Sequence, residues 1–288
     1  MNTNWLDRSE YPFEAKYLNI NGAKMHYVDE GSGETLLIVH GTPSWSFEFR
    51  HLIRDLSKNY RVIAMDHIGF GLSDKPADYD YSVQNHAKSL AALIDHLQLK
   101  TFSLLVHDFG GPIGLSYAIQ HPENIHQLIM INTWCRSAEN DPSFIRMKRV
   151  LGSPLLPFLY KYFNFSARFI MPAAYGEKTR LTKKIHRQYT QAFGSPGERM
   201  GTIAFAKSLL NDQAWFESIG QQLHLLAQKP VLLIWGMKDN FVTEKYLNEF
   251  LEIFPQAQAV QYPDAGHFVM EEKSMVAIPV IREFLSRK

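Results

Sequence analysis

The stretch Val106-His107-Asp108-Phe109-Gly110-Gly111 decides the fold, because it joins a strand to a helix through a tight turn. The mainly apolar run Phe102–Val106 is typical of a buried strand, and Pro112–Gln120 has the pattern of a helix. Two successive glycines let strand and helix approach at a distance where a Cβ atom would clash. We therefore expect Asp108 at the carboxyl end of a strand, beside a helix dipole that favours its ionised form. Taken alone, the same aspartate is also consistent with a simple helix N-cap.

Strands and helices alternate on both sides of this turn, which indicates an α/β fold with a mostly parallel sheet covered on both faces. The Asn21-Gly22 pair predicts an antiparallel hairpin near the start of the chain. The predicted strands are Lys16–Ile20, Lys24–Asp29, Thr35–Val39, Arg61–Met65, Phe102–Val106, Gln127–Ile131, Val231–Ile234 and Val260–Gln261. The predicted helices of this core are Ser82–Leu97, Pro112–Gln120, Thr243–Ile253 and Glu271–Leu285.

The alternation is interrupted between residues 134 and 223, where helical patterns occur without a convincing buried strand. This segment is rich in aromatic residues and Met, and it is punctuated by Pro154, Pro157 and Pro172. We therefore expect a helical cap, residues 134–223, inserted before the last strands of the sheet. The core would then consist of residues 1–133 and 224–288.

Two further residues suggest that Asp108 belongs to a catalytic triad. Ligands bind beyond the carboxyl ends of the strands in an open parallel sheet. Asp239 follows the predicted strand Val231–Ile234, and His267 lies in the loop before the last helix. The order of nucleophile, acid and histidine along the chain is that of hydrolases with a nucleophile elbow, although Asp108 stands where their familiar motif has Ser.

Several motifs together resemble the haloalkane dehalogenases, which are relatives of the epoxide hydrolases with the α/β-hydrolase fold. The motifs are His40–Phe47, Asp66–Asp74, the Asp108 turn, Trp235–Asp239 and Gly266–Phe268. The similarity runs from about Tyr11 to the C-terminus and is weakest in the insertion, which corresponds to the helical cap of the family. The resemblance implies that Asp108 is the nucleophile, Asp239 the triad acid and His267 the base.

An aspartate nucleophile suits displacement at a saturated carbon, because a carboxylate is a weak acyl-transfer catalyst. We expect Asp108 to form an alkyl ester, which is then hydrolysed by a water molecule that His267 deprotonates. Asp239 would orient the imidazole and stabilise its charged form. The backbone N–H groups of Thr42 and Phe109 would hold the oxyanion of the hydrolysis. This chemistry needs no metal and no organic cofactor.

The residues that would bind the leaving group depart from the family pattern. Haloalkane dehalogenases hold the halide with a Trp directly after the nucleophile, plus an Asn after His-Gly or a Trp in the cap. This sequence has Phe109 and Thr42 at the first two of these positions. The candidate substrate-binding residues are Trp45, Trp134, Trp215 and Tyr189. Trp45 and Trp134 also suit core packing, and Trp215 is the better candidate for a replacement donor.

Two alternative functions remain open. An epoxide hydrolase would protonate the ring oxygen with cap tyrosines, of which Tyr160 and Tyr162 are expected to be cap core or surface residues. A non-catalytic ligand-binding protein on the same scaffold ranks last, because the triad is intact. A cap rich in Phe and Met favours a small hydrophobic molecule as substrate or ligand.

Composition argues against several other classes of protein. The 288 residues carry 30 Lys and Arg against 29 Asp and Glu without a long basic run, so we expect neither a nucleic-acid nor a membrane partner. The single Cys135 cannot form an internal disulfide, which suits a reducing compartment. Met1–Lys16 has no apolar segment typical of a signal peptide, and no apolar stretch reaches the roughly 20 residues of a membrane span. We therefore expect a cytoplasmic protein.

Overall fold

A computed structural model describes residues 3–139 and 142–287, and in this part of the chain eight strands form one sheet. The strands are β1 Lys16–Ile20, β2 Ala23–Glu30, β3 Thr35–Val39, β4 Arg61–Met65, β5 Phe102–Asp108, β6 Ile125–Thr133, β7 Val231–Gly236 and β8 Gln258–Tyr262. Their order across the sheet is β1-β2-β4-β3-β5-β6-β7-β8. The pairs β1/β2 and β2/β4 are antiparallel, and all other neighbours are parallel. The predicted α/β fold with a mostly parallel sheet is confirmed.

The centre of the sheet is covered on both faces. In one row across it, the paired residues are Ile38, Leu105, Ile129 and Leu232. In the next row, whose side chains point to the opposite face, they are Leu37, Leu104, Leu128 and Val231, and all eight side chains are buried. Such strands need apolar residues on both faces, which explains their continuous apolar pattern in the sequence. The β1–β2 hairpin turns at Asn21 and Gly22, which both have positive φ, so the prediction from the Asn-Gly pair is confirmed.

Helices cover both faces of the sheet and fill the long connection between β6 and β7. They are α1 Arg50–Leu56, α2 Val83–His96, α3 Gly110–Gln120, α4 Pro142–Leu151, α5 Leu155–Phe163, α6 Met171–Ala173, α7 Lys183–Gln191, α8 Met200–Asn211, α9 Gln213–Gln222, α10 Glu244–Ile253, α11 Val269–Glu272 and α12 Ser274–Leu285. Shorter helical turns are Ser46–Phe49, Pro122–Asn124, Ser166–Ile170, Lys178–Arg180, Pro196–Arg199 and Leu223–Leu226.

Three details of the core differ from the predicted elements. The strand β5 continues to Asp108, with a register shift against β6 after His107. The predicted helix Glu271–Leu285 is wrong in its first turns, because the backbone of Lys273 leaves the helical region (φ −130°, ψ 18°) and separates α11 from α12. The helix α1 was not predicted. Apolar periodicity carries no signal for such local breaks in the backbone.

The connection from β6 to β7 contains helices and turns but no strand among its described residues. Within it, α5 and α8 pack on each other through a small cluster of apolar contacts formed by Leu156, Tyr160, Ile203 and Ala206. We call residues 134–223 the cap, and we propose these residues as its boundaries. Across the described residues, no helix combines the length and the apolar character required to traverse a bilayer.

Candidate active site

Asp108 lies at a sharp turn between β5 and α3. Its φ of 52° falls in the left-handed region, which a side chain other than glycine occupies at a cost of about 1–3 kcal/mol. The surroundings hold this conformation: Thr133 Oγ1 donates to the backbone carbonyl of Asp108 at 2.6 Å. A Cβ on Gly111 would lie 1.7 Å from Thr133 Oγ1, and one on Gly41 would lie 2.1 Å from Asp108 Oδ1. Glycine at both positions therefore allows the neighbouring segments to close on the turn.

His267 joins two carboxylates. Its Nδ1 lies 2.6 Å from Asp239 Oδ2, and its Nε2 lies 3.3 Å from Asp108 Oδ2. All three side chains are almost fully buried. Burial by itself lowers the pKa of His267, but the charges and hydrogen bonds of Asp239 and Asp108 raise it well above its ordinary value. The two carboxylates therefore favour the protonated form of the imidazole.

Asp108 is held as an anion. Burial raises the pKa of its carboxyl, but the hydrogen bond and charge of His267 lower this pKa below its ordinary value, with help from Thr42 N–H. The Thr42 amide donates to Asp108 Oδ1 at 2.7 Å. The other expected oxyanion donor, Phe109, is the residue between Asp108 and the first turn of α3. Of the two expected donors, the Thr42 amide is thus the one that contacts the Asp108 carboxylate among the described hydrogen bonds.

Asp239 is fixed by donors from two segments. Its Oδ1 accepts the amides of Phe241 at 2.7 Å and Val242 at 3.0 Å, which form a turn after β7. Its Oδ2 accepts Asn132 Nδ2 at 2.9 Å, in addition to facing His267. Asn132 was not singled out in the sequence, although its position near the carboxyl end of β6 was a usable signal.

The loop that carries His267 is hydrogen-bonded to the cap, to the buried carboxylate of Glu272 and to His107. The amide of His267 donates to the carbonyl of Ala174, a cap residue, at 2.9 Å. The buried carboxylate of Glu272 accepts the amides of Gly266 at 2.8 Å and Gly176 at 3.2 Å. On the core side, His107 Nε2 lies 3.0 Å from the His267 carbonyl.

The opposite nitrogen of the His107 ring, Nδ1, lies 3.0 Å from Glu48 Oε1, and both side chains are fully buried. The sequence gave no sign that Glu48 is the partner of His107. The two residues are far apart in the chain, so only the folded arrangement reveals the pair.

A cavity of about 430 Å³ opens between the core and the cap, with Asp108 and His267 in its wall. Its lining is mainly apolar and includes Thr42, Phe109, Trp134, Phe144, Leu151, Leu156, Tyr160, Phe165, Ile170, Leu209 and Phe268. A cavity of this size suits a small or medium-sized apolar molecule.

Of the four candidate substrate-binding residues, Trp134 lines this cavity and contacts Phe109 edge-on, with ring centroids 4.9 Å apart. The other three do not line it. Trp45 is packed in the core against Tyr11 and Phe47, Trp215 packs on Phe216, and the Tyr189 phenol donates to Glu271.

Three features govern which leaving group this cavity accommodates. Phe109 packs against Trp134 and Phe205 and has no N–H group on its ring. The Thr42 hydroxyl is buried without a hydrogen-bond partner among the described residues. Tyr160 was expected in the cap core or at the surface, yet it lines the cavity, where burial raises the pKa of its phenol to about 12.

No group of three or more His, Cys, Asp or Glu within residues 3–139 and 142–287 is arranged to hold a metal ion.

Known proteins match this architecture along almost the whole chain. Residues 34–274 match the family model described as alpha/beta hydrolase fold. A cis-3-alkyl-4-alkyloxetan-2-one decarboxylase of Shewanella oneidensis is 35% identical over 96% of this chain and 89% of its own length. Haloalkane dehalogenase 2 of Mycobacterium tuberculosis is 31% identical over 96% of this chain and 97% of its own.

The fold agrees with solved structures at lower sequence identity. The haloalkane dehalogenase DatA from Agrobacterium tumefaciens superposes with a TM-score of 0.85 at 24% identity, covering 95% of this chain and 96% of that one. The family match and the similarity to curated enzymes, together with this architecture, lead to one conclusion. The chain belongs to the α/β-hydrolase fold family and is an enzyme of the haloalkane dehalogenase-like kind within it.

Proposed function

We propose that Asp108 attacks a saturated carbon of a small apolar substrate, expels its leaving group and is set free by hydrolysis of the alkyl ester. The observation that carries this proposal is the 3.3 Å distance between Asp108 Oδ2 and His267 Nε2 in the wall of a mainly apolar cavity. A nucleophile, a base that reaches it and a residue that orients the base are the required parts of covalent catalysis. With a halide as the leaving group, the activity is that of a haloalkane dehalogenase.

In the first step, a carboxylate oxygen of Asp108 forms a bond to the carbon, and the carbon–halogen bond breaks with its electron pair leaving as halide. The apolar cavity favours this step because it removes water from the carboxylate and the halogenated carbon. Esterification also removes the negative charge of Asp108. His267 then keeps only Asp239 as a charged partner, so the pKa of its imidazole falls and its proton is released.

In the second step, neutral His267 takes a proton from water, and the resulting hydroxide attacks the Asp108 carboxyl carbon. The oxyanion forms where Asp108 Oδ1 accepts the Thr42 amide, with the Phe109 amide as the second proposed donor. Collapse expels the alcohol, which receives the proton held by His267. Asp239 positions the ring through its 2.6 Å contact with Nδ1.

Single-turnover reactions with a panel of bromoalkanes test this sequence of steps. We expect the His267→Gln variant to accumulate an alkyl adduct that mass spectrometry locates on the Asp108 peptide, whereas Asp108→Asn forms none. In ¹⁸O water, one wild-type turnover should label the Asp108 carboxylate rather than the alcohol. Label that enters the alcohol in that first turnover would contradict the ester intermediate.

A second candidate function has an oxygen leaving group. The ring of Phe109 lacks a halide donor, whereas the unpartnered Thr42 hydroxyl and the Tyr160 phenol are suited to a departing oxygen. The 35% identity to an oxetan-2-one decarboxylase supports the same choice. An epoxide oxygen would also suit these hydroxyl donors, and its product would be a diol.

For an oxetan-2-one, the balance of bonds differs from hydrolysis. Asp108 would attack the alkyl-bearing ring carbon next to the ring oxygen, and that carbon–oxygen bond would break to leave a carboxylate. Loss of carbon dioxide would then supply the electron pair for an alkene, while the bond to Asp108 breaks and restores its carboxylate. No water is consumed, so His267 is not needed as a base in this route.

Product analysis separates the two candidates. A cis-3,4-dialkyl oxetan-2-one should give alkene and carbon dioxide without ¹⁸O incorporation, and His267→Gln should retain turnover. Formation of a hydroxy acid containing solvent oxygen would reject the decarboxylation route and favour hydrolysis. Turnover of bromoalkanes without any reaction of the oxetan-2-one would show that the leaving group is a halide.

A further inference from the structure

The chain has a marked separation of charge that its overall composition conceals. Residues 134–223 contain 13 Lys and Arg but only 6 Asp and Glu. The rest of the chain contains 17 Lys and Arg and 23 Asp and Glu. The cap therefore has a formal charge of +7 and the core −6, within a net charge of +1. The basic residues do not form a run in the sequence, so the separation becomes visible only when the chain is divided by its fold.

The same cap exposes a continuous apolar face on α5. Leu155, Phe158, Tyr162 and Phe163 follow each other at helical spacing, and each is about half exposed. The Phe158 ring lies 4.9 Å from Tyr162 and 5.9 Å from Phe163. Phe169, just beyond the helix, is exposed to the same degree. We call these five residues the aromatic face. Contiguous exposed apolar patches on soluble proteins commonly mark binding surfaces.

Positive charges accompany the aromatic face. The Lys161 ammonium lies 5.7 Å from the centre of the Tyr162 ring, and Arg168 is exposed next to Phe169 in the sequence. Lys148 and Arg149 are exposed in the last turn of α4, which precedes α5. These cations therefore adjoin the aromatic face in the sequence.

The acids of the cap do not neutralise these charges. Between residues 142 and 211 the sequence has only Glu177 and Glu198 as acids. Glu177 pairs with Arg180, and Glu198 accepts the backbone amide of Ser195. The charged side chains that adjoin the aromatic face in the sequence are therefore mainly basic.

The opposite face of α5 lines the cavity. Leu156 and Tyr160 are buried and belong to the cavity wall, whereas the aromatic face points outward from the same helix. A single helix thus separates the protein surface from the cavity that contains Asp108.

In place of the expectation of no membrane partner, which rested on the absence of a basic run, we propose that the cap docks on an anionic phospholipid surface through the aromatic face and the cations Lys148, Arg149, Lys161 and Arg168. Aromatic side chains flanked by Lys and Arg are the combination that binds the boundary between lipid headgroups and acyl chains. The cap of a second copy is a poorer occupant, because two caps of the same positive charge repel each other. The proposal is independent of the leaving group and of the Asp108 ester.

Sedimentation with vesicles tests the proposal, using phosphatidylcholine vesicles with and without phosphatidylglycerol. We expect the wild-type chain to bind the anionic vesicles, and to bind less as salt is added, because salt screens the attraction. For Lys161→Glu with Arg168→Glu, each lost positive charge should lower the partition coefficient about five-fold. Phe158→Ser with Phe163→Ser should abolish binding that survives moderate salt.

Two control variants carry matched changes elsewhere on the molecule. Lys100→Glu changes an exposed cation just before β5, at the end of the sheet opposite the Asp108 turn, and Met275→Ser changes an exposed apolar side chain on α12. Both should bind vesicles as the wild type does. All variants should keep the wild-type circular dichroism spectrum and urea unfolding midpoint, which shows that they fold.

Other results would overturn the proposal. One is a chain that ignores anionic vesicles, and another is equal binding by wild type and the Phe158→Ser, Phe163→Ser variant. Lipid-independent dimerisation that this variant loses would assign the aromatic face to self-association. Binding to an acidic protein partner but not to vesicles would assign it to a protein interface.

Discussion

Asn132 Nδ2 donates to Asp239 Oδ2 at 2.9 Å, and this is the same oxygen that lies 2.6 Å from His267 Nδ1. The amide therefore fixes the carboxylate oxygen that orients the base. The other contact of the amide side chain is equally buried, because Asn132 Oδ1 accepts the backbone amide of Gly236 at 2.8 Å. Asn132 is a positioning residue that acts through Asp239.

Replacement of Asn132 by Leu should slow the hydrolysis step more than the alkylation step. A hydrogen bond to a charged group contributes about 1.5–3 kcal/mol, which corresponds to a rate loss of roughly ten- to a hundred-fold. Rapid-quench kinetics with a bromoalkane measure the two steps separately. The matched control is Asn124→Leu, because Asn124 bonds to the Tyr117 hydroxyl far from the triad. Equal slowing of both steps would contradict a positioning role.

The two steps should depend differently on pH. The pKa of Asp108 is below its ordinary value, so this carboxylate is ionised between about pH 5 and pH 8 and alkylation should be constant there. In the alkyl-enzyme, His267 must be neutral to act as a base. Hydrolysis should therefore slow about tenfold for each pH unit below the pKa that His267 has in that intermediate.

Acid quenching of steady-state samples measures this prediction, because the Asp108 ester should accumulate as the pH falls. Loss of alkylation in parallel with hydrolysis would mean that protonation of Asp108 itself limits the reaction. The His267→Gln variant isolates alkylation, since its adduct is not hydrolysed. Because His267 no longer lowers the pKa of Asp108 in this variant, its adduct should form more slowly towards the acid end of the range.

Phe109→Trp should distinguish the two leaving groups. The larger ring introduces an N–H donor near the cavity, whereas phenylalanine has none. For bromoalkanes we expect an increase in kcat/KM of about tenfold, equivalent to one modest hydrogen bond in the transition state. Turnover of an oxetan-2-one should not rise. Phe205→Trp is the control for an effect of packing alone, because it enlarges a ring that packs against Phe109. A rise for both substrates would indicate a general repacking effect.

Glu272→Ala should destabilise the fold. Its buried carboxylate accepts the amides of Gly266, Gly176 and Glu177, so the substitution leaves three amides without a partner. We expect the free energy of unfolding in urea to fall by about 3 kcal/mol or more. Glu272→Gln should recover part of it, since one acceptor oxygen remains.

The control for this variant is Glu283→Ala, because Glu283 is exposed and pairs with Arg287 on the surface of α12. It should change the free energy of unfolding by no more than about 0.5 kcal/mol. An equal loss in both variants would contradict the structural role of Glu272.

The fold and the three candidate triad residues were predictable because their signals are local. Apolar strands, the Asn21-Gly22 turn and the Asp108 turn each lie within a few residues of sequence. The order of strands then brings Asp108, Asp239 and His267 together, since residues at the carboxyl ends of parallel strands share one edge of the sheet. The roles of these three residues stay predictions.

The lining of the cavity was not predictable in the same way. Tyr160 and Trp45 are both aromatic and both buried, yet only Tyr160 lines the cavity. Which face of a cap helix meets the core depends on packing between distant segments, and no local pattern records it. The Glu48–His107 pair and the contact of Asn132 with Asp239 depend on the same long-range packing.

The attachment of the His267 loop to the cap couples the chemistry to cap closure. The His267 amide donates to the Ala174 carbonyl, and the Glu272 carboxylate accepts the amides of both Gly266 and Gly176. If this end of the cap lifted, the general base would lose the contacts that aim it at Asp108. In the proposed mechanism, hydrolysis of the Asp108 ester would therefore require this end of the cap to stay in place.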